Sequence, residues 1–344
     1  MRLLLTADPF VPVPPRYYGG IERIVAGLIP KLRERGHQVG LVAHPASNMP
    51  VDYFLGWPHE TPSGFQAHSQ NVLCLLKAFR EFEPDLIHSF SRILYLSVLL
   101  CKKTPKVMSY QRFVTKHTVK LGAFLGGRSL AFTGCSEFIA AMGSAHGGNW
   151  HAIPNFVDTE SYEFSPAVAS DAPLVFLSRV EQIKGTHIAI ELAKRTGKRL
   201  IIAGNHSTSG PEGDYWDNII KPEIGRDGIE YIGPVGDAAK IRLLKSAAAL
   251  IVPVQWDEPF GIVFAEALAC GTPVISSPRG ALPEIVRDGI DGFLVHDLDE
   301  GCRAIGAIDR IDRSACRQRA ETSFSAGVIC RRYEALYESL IATM

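Results

Sequence analysis

The chain lacks an excess of charge of either sign: Lys plus Arg and Asp plus Glu both number 36. A general nucleic-acid binder shows a basic surplus, so no nucleic-acid partner is expected. No run of about 18 apolar residues occurs, which leaves no candidate for a membrane-spanning helix. The opening stretch, Met1 to Ala7, looks like a secretory leader for only a few residues. Asp8 and a series of prolines then end it, and a first β-strand is the better reading. Seven cysteines are scattered without a CxxC pair. That pattern fits reduced thiols in the cytosol and argues against structural zinc. Cys74, Cys135, Cys270 and Cys330 lie in apolar sequence and read as core residues. HxxxH, HxH, GxSxG and GxGxxG are all missing. No metal and no cofactor are therefore expected, and a Rossmann dehydrogenase is the least favoured enzyme.

What is present is length and rhythm. At 344 residues, 46% of them hydrophobic, the chain suggests two domains. Short apolar runs alternate with helical patterns. Leu3–Ala7, Gln38–Ala43, Asp85–His88, Lys106–Ser109 and Leu130–Thr133 read as strands, and Ile21–Arg35 as a helix with Ile21, Ile24, Val25, Leu28 and Leu32 on one face. The segment Pro154–Pro173 breaks the pattern and marks a boundary. The alternation then restarts at Leu174–Leu177, Thr186–Arg195, Arg199–Ala203, Ile229–Ile232, Ala248–Val252, Thr272–Ile275 and Gly292–Val295. Ala326–Ala342 reads as an amphipathic helix. Such alternation predicts parallel sheets covered on both faces, with ligands at the carboxyl ends of the strands. Two doubly wound halves would enclose an elongated ligand in a cleft.

Three segments could carry chemistry. In Glu258-Pro259-Phe260-Gly261-Ile262-Val263-Phe264-Ala265-Glu266, two carboxylates stand eight positions apart around what reads as a helix start. Free backbone N–H groups there suit an anion, and Gly261 allows close approach. A loop and a buried helix with surface acids would fit this segment alone equally well. In Ser178-Arg179-Val180-Glu181-Gln182-Ile183-Lys184-Gly185, two cations follow a strand and could neutralise a diphosphate leaving group without a metal. The plain alternative pairs Arg179 with Glu181 and leaves Lys184 solvated. Gly19-Gly20, ahead of a helix, offers amides to an anion, although paired glycines usually mean a turn. Gly271-Thr272-Pro273 reads as a helix stop. Arg279 is a weaker ligand candidate. His88, at a strand end, could meet sugar hydroxyls, though a lone histidine there usually has an ordinary hydrogen-bonded role; Arg112 and His117 are placed similarly.

Taken together, Tyr18-Gly19-Gly20-Ile21-Glu22-Arg23, Ile153-Pro154-Asn155-Phe156-Val157-Asp158, Ser178-Arg179 through Lys184-Gly185, Glu258 through Glu266, Gly271-Thr272-Pro273-Val274 and Gly289 through Val295 resemble the retaining glycosyltransferases of family 4. The resemblance covers nearly the whole chain and is strongest from Leu174 to Val295. It implies an α/β chain of GT-B fold: two Rossmann-like, doubly wound domains facing across a cleft, with a C-terminal helix crossing back to the first. The acceptor domain would be residues 1–155 with 326–344, and the donor domain residues 156–325.

By the same resemblance, Arg179 and Lys184 would contact the diphosphate, approached from the other side by Gly19 and Gly20. Glu258 would lie at the donor sugar, with Phe260, Gly261 and Ile262 offering backbone amides, and Glu266 would hold the ribose. Glu258, Arg179, Lys184 and His88 form the implied catalytic set, with no metal. Two departures stand out. Relatives often carry His-x-His where this chain has His88-Ser89-Phe90, and Thr-x-His where it has Ser109-Tyr110-Gln111.

The implied function is transfer of a hexose-type sugar from a nucleoside diphosphate to a hydroxyl acceptor, whether saccharide, lipid-linked or small molecule. A nucleotide-sugar epimerase and a catalytically weak nucleotide-sugar-binding protein are the alternatives. The acceptor loops are expected around Pro45–Gln70 and Tyr110–Arg128. In the second loop, Lys116, Lys120 and Arg128 mix with Phe113, Leu121, Phe124 and Leu125. A mixed solvated loop is the plainer reading, and peripheral contact at the inner membrane face the sharper one.

Overall fold

The structure, a computed structural model, describes residues 1–16 and 19–344. Tyr18, the first residue of the Gly19-Gly20 motif, lies outside the described residues. The chain divides into two compact units. The first is Met1–Phe156 with Ala326–Met344; the second is Val157–Ser325. Phe156 goes with the first unit because its ring lies against Gly27, where an added Cβ would sit 2.7 Å from it.

The first unit is built on seven strands: β1 (Arg2–Thr6), β2 (Gln38–Ala43), β3 (Tyr53–Gly56), β4 (Leu86–Ser89), β5 (Lys106–Tyr110), β6 (Leu130–Gly134) and β7 (Asn149–Ala152). Their order is β3-β2-β1-β4-β5-β6-β7, and every pairing is parallel. Leu3, Leu4 and Leu5 of β1 are all fully buried, as a strand covered on both faces requires. The helix Gly20–Glu34 buries Ile24, Val25, Leu28, Ile29 and Leu32, and Gly36 follows it in the left-handed region. The last helix, Ala326–Ala342, buries Tyr333 and Tyr337 and packs beside Gly20–Glu34. Its Glu334 pairs with Arg35 and, at 2.9 Å, with His37.

The second unit has six strands: β8 (Leu174–Leu177), β9 (Leu200–Ala203), β10 (Ile229–Gly233), β11 (Ala249–Val252), β12 (Val274–Ser276) and β13 (Gly292–Leu294). The order β10-β9-β8-β11-β12-β13 is again parallel throughout. The order reverses between β1 and β4 in one unit and between β8 and β11 in the other. At such reversals, loops leave in opposite directions and open a crevice at the strands' carboxyl ends.

Two expected loops contain regular structure. The Pro45–Gln70 stretch holds β3 and the start of the helix Gly64–Phe82. The Tyr110–Arg128 stretch holds the helix Lys116–Gly126. The edge strands β3 and β7 are half-exposed; β7 lacks the apolar run that marks the central strands, and β3 is only four residues long.

Candidate functional site

In the second unit the loops after β8, β11 and β12 meet at one sheet edge. Gly185 ends the β8 loop with φ +76, and an added Cβ would stand 2.1 Å from the carbonyl oxygen of Pro253, just past β11. Only glycine satisfies both the backbone angle and that contact. The Gln255 amide donates to the Ile183 carbonyl at 2.7 Å and fastens the two loops again. Gly280, after β12, lies flush against Glu258: an added Cβ would meet its carbonyl oxygen at 2.3 Å. The Ala281 amide donates to that same oxygen at 2.8 Å.

This packing sets Lys184 against Glu258. Lys184 Nζ donates to Glu258 Oε2 at 2.5 Å, with both side chains about 10% exposed. Trp256 Nε1 donates to the same oxygen at 2.7 Å, and the ammonium lies 4.8 Å from the Trp256 ring centre. Lys184 is therefore buried rather than a solvated helix start. Arg179 pairs with Glu181, as the plain alternative had it, and its side chain is 40% exposed.

Two residues beyond Glu258, Phe260 is buried with its ring 5.7 Å from that of Phe324. Gly261 takes φ +79, and an added Cβ would stand 2.5 Å from the Phe264 ring. The helix Ile262–Ala269 starts there without a side-chain cap. Its N-terminal dipole end lies next in sequence to the Glu258 turn. On the same helix, Glu266 is buried. Its Oε1 accepts from the Tyr162 hydroxyl at 2.6 Å and from the Lys240 ammonium. Lys240 also pairs with Asp237 at 3.2 Å and lies 5.6 Å from the Tyr162 ring centre. Burial first, and then the Glu266 charge, push the Tyr162 hydroxyl far above its usual range.

His88 is a correction. Its imidazole is fully buried, with Nδ1 2.6 Å from the Tyr337 hydroxyl and Nε2 2.7 Å from Ser109 Oγ. The Phe90 and Tyr333 rings lie 4.1 and 4.8 Å away. Burial pulls its pKa down to about 3. His88 belongs to the packing that holds the last helix, and it has no face left for a ligand. Gly19 has an extended backbone and is needed for another reason: an added Cβ would sit 2.6 Å from Pro15 Cβ. Gly20 opens its helix, as expected. His117 and Arg112 are exposed.

The first unit carries a cavity of about 340 Å³ at the β1/β4 reversal. Asp8, Phe90, Arg92, Gln111 and Arg112 contribute to its lining. Asp8 lies 3.9 Å from Arg92 and 3.6 Å from Arg112. Burial raises its carboxyl above the usual range, against the pull of the two arginines. Asp8 Oδ1 and Gln111 Oε1 are buried acceptors with no hydrogen-bond donor among the described residues. Phe90, at the position where the family resemblance leads one to expect a second histidine, forms part of the cavity wall.

Asp8, Trp256, Lys240 and Tyr162 were missed in the sequence. An acid two residues past the end of a buried strand could have flagged Asp8, and an aromatic two places before Glu258 could have flagged Trp256. Nothing local marks Lys240 or Tyr162, which reach Glu266 from distant segments. Among the described residues, no three His, Cys, Asp or Glu side chains gather as a metal site.

Two parallel doubly wound units, one with a buried Lys–Glu pair and a glycine-started helix at its switch point, define an α/β protein of the doubly wound class. Comparison with known proteins narrows the class. Residues 158–306 match the family described as glycosyl transferases group 1, and residues 18–161 match glycosyltransferase family 4. The chain belongs to the family 4 glycosyltransferases, of GT-B fold.

The D-inositol 3-phosphate glycosyltransferase of Mycobacterium marinum is 33% identical over 146 residues, which is 41% of this chain and 31% of that protein. The match thus spans about a third of the length of such curated relatives. AviGT4, a glycosyltransferase involved in avilamycin A biosynthesis, superposes with a TM-score of 0.73 at 25% identity, over 100% of this chain and 98% of that one. Anabaena HepE, solved in complex with UDP and glucose, gives a TM-score of 0.75 at 19% identity over 98% and 100% of the two chains.

Proposed function

We propose that this protein is a retaining, metal-independent glycosyltransferase. It moves a hexose-type sugar from a nucleoside diphosphate to a hydroxyl acceptor. The observation that carries this reading is the buried Lys184–Glu258 pair beside the Gly261 helix start. A buried ammonium has a large electrostatic effect on charge that develops next to it. In the resting state Glu258 neutralises it. An arriving diphosphate takes over Lys184, and Glu258 is released to accept from sugar hydroxyls. The first amides of Ile262–Ala269 and the Arg179 guanidinium add positive potential. Glu266, held by Lys240 and Tyr162, accepts from the ribose hydroxyls.

The chemistry then balances without a protein base. The bond from the anomeric carbon to the diphosphate oxygen breaks, and its electron pair stays on the phosphate. The sugar passes through an oxocarbenium-like state. The acceptor oxygen bonds to the anomeric carbon on the face just vacated, and its proton goes to the departing phosphate oxygen. The cavity lined by Asp8 and Gln111 is the acceptor site, since Asp8 Oδ1 and Gln111 Oε1, which accept no hydrogen bond among the described residues, suit a hydroxyl-bearing molecule. The UDP and glucose held by Anabaena HepE support a uridine-type donor for this chain as well.

The test is transfer and donor hydrolysis by wild type, Lys184→Ala and Glu258→Ala across a panel of nucleoside-diphosphate sugars. Each variant should lose roughly two to three orders of magnitude in kcat. Equal turnover in all three would remove the assignment. Isomerised donor without acceptor would identify an epimerase, and tight donor binding without product a binding protein.

A further inference from the structure

Between Asp85 and Glu137 the sequence contains eight Lys and Arg and no Asp or Glu, although the whole chain is neutral. The rest of the chain is correspondingly acidic. In the fold, this stretch forms one side of the first unit. The helix Lys116–Gly126 buries Val119, Gly122 and Gly126 and turns His117, Lys120, Leu121 and Phe124 outward. Those four positions follow i, i+3, i+4, i+7 spacing and share a face. Phe124 is 83% exposed and Leu121 59%, far more than packing into a unit's own core would leave.

The short helix Ile93–Leu99 lies against it: an added Cβ on Gly122 would stand 2.4 Å from Ile93 Cδ1. It exposes Leu94 and Val98. Ser129 Oγ donates to the Lys102 carbonyl at 3.2 Å, which ties the end of the helix to the exposed Lys102-Lys103 pair. Lys106, by contrast, is buried and donates to the Lys102 and Thr104 carbonyls, so it shapes the loop rather than the surface.

We propose that this face docks on a lipid bilayer rich in anionic headgroups. Lys102, Lys103, Lys116, Lys120 and Arg128 supply the attraction, and Leu121 and Phe124 enter the headgroup–acyl boundary. An anionic bilayer matches both halves of the surface: phosphates for the cations and hydrocarbon for the outward leucine and phenylalanine. A nucleic acid would satisfy the cations and could stack a base on Phe124, but it would leave Leu94, Val98 and Leu121 without an apolar partner. The inference does not depend on glycosyl transfer, since the surface lies apart from Lys184 and Glu258 in sequence and unit.

The test is co-sedimentation of the whole protein, without nucleotide, with vesicles of phosphatidylcholine alone or mixed with phosphatidylglycerol. The expected result is binding to the mixed vesicles, weakened by salt, and little to the neutral ones. Replacing Lys116, Lys120 and Arg128 together by Glu should cost at least about a hundredfold in affinity, roughly fivefold for each cation removed. Leu121→Ser with Phe124→Ser should cost about tenfold or more. Lys120→Glu and Phe124→Ser alone serve should a multiple variant not fold. Equal binding to neutral vesicles, no vesicle binding at all, or unchanged binding by the Leu121 and Phe124 variants would overturn the proposal. So would duplex DNA binding that outcompetes the vesicles.

Discussion

His88 shows how one side chain couples packing to pH. Its folded imidazole titrates near 3 because burial disfavours the charged form, whereas an unburied imidazole titrates near 6.5. The unfolded chain therefore takes up the proton first as the pH falls. This contribution to stability is whole above about pH 6.5 and declines by about 1.4 kcal/mol per pH unit below it. It stops declining near 3. Urea midpoints between about pH 7 and pH 4 should show the slope, and His88→Gln should flatten it. An unchanged slope in the variant would assign the acid sensitivity elsewhere. The sequence placed this histidine correctly at the end of β4, but an alternation of apolar residues does not tell which strand end is capped by a helix returning from far along the chain. Tyr337 supplies that cap, 249 residues away. Lys184 and Glu258 were legible because each lies in a loop after a strand, Lys184 next to Gly185 and Glu258 three residues before Gly261; their direct contact was not.

At the scale of elements, the β8 and β11 loops act as one piece. Gly185→Ala places a Cβ against the Pro253 carbonyl and forces a left-handed backbone angle on a residue that resists it. The expected cost is about 3 kcal/mol or more, read as a lower urea midpoint. Nucleotide affinity should fall with it, because Lys184 is the neighbouring residue. A Gly185→Ala protein with wild-type stability would mean that the loops are free to separate. The expected and observed elements agree best where burial is two-sided. The helix Ala326–Ala342 has the expected bounds, and β1, β6 and β8 differ by a residue or two at most. The misses include β3, β7 and the helices Gly64–Phe82 and Lys116–Gly126. In β7 and the helix Lys116–Gly126 many residues face water and the hydrophobic signal fades, whereas β3 is only four residues long and Gly64–Phe82 begins in a stretch read as a loop although it buries Val72, Leu75, Ala78 and Phe82.

At the scale of the whole molecule, each unit carries its own parallel sheet and its own candidate site, and stability is not a single two-state quantity. If cations from the chain alone neutralise the leaving group, turnover should survive chelation. Activity in excess EDTA within a factor of about two of the untreated enzyme is the expected outcome. Loss on chelation, with recovery on adding Mg²⁺, would transfer that role to a metal. No helix among the described residues is long and apolar enough to cross a membrane. The amino-acid order by itself determined two parallel α/β units, their central strands and the loops that hold Lys184, Glu258 and Gly261, because periodicity and glycine placement are local properties. The tertiary structure alone decided that Lys184 meets Glu258, that Lys240 and Tyr162 hold Glu266, and that His88 is sealed in a core. Those outcomes depend on which distant loops and helices come within a few ångströms, and burial fixes that only when the whole unit packs.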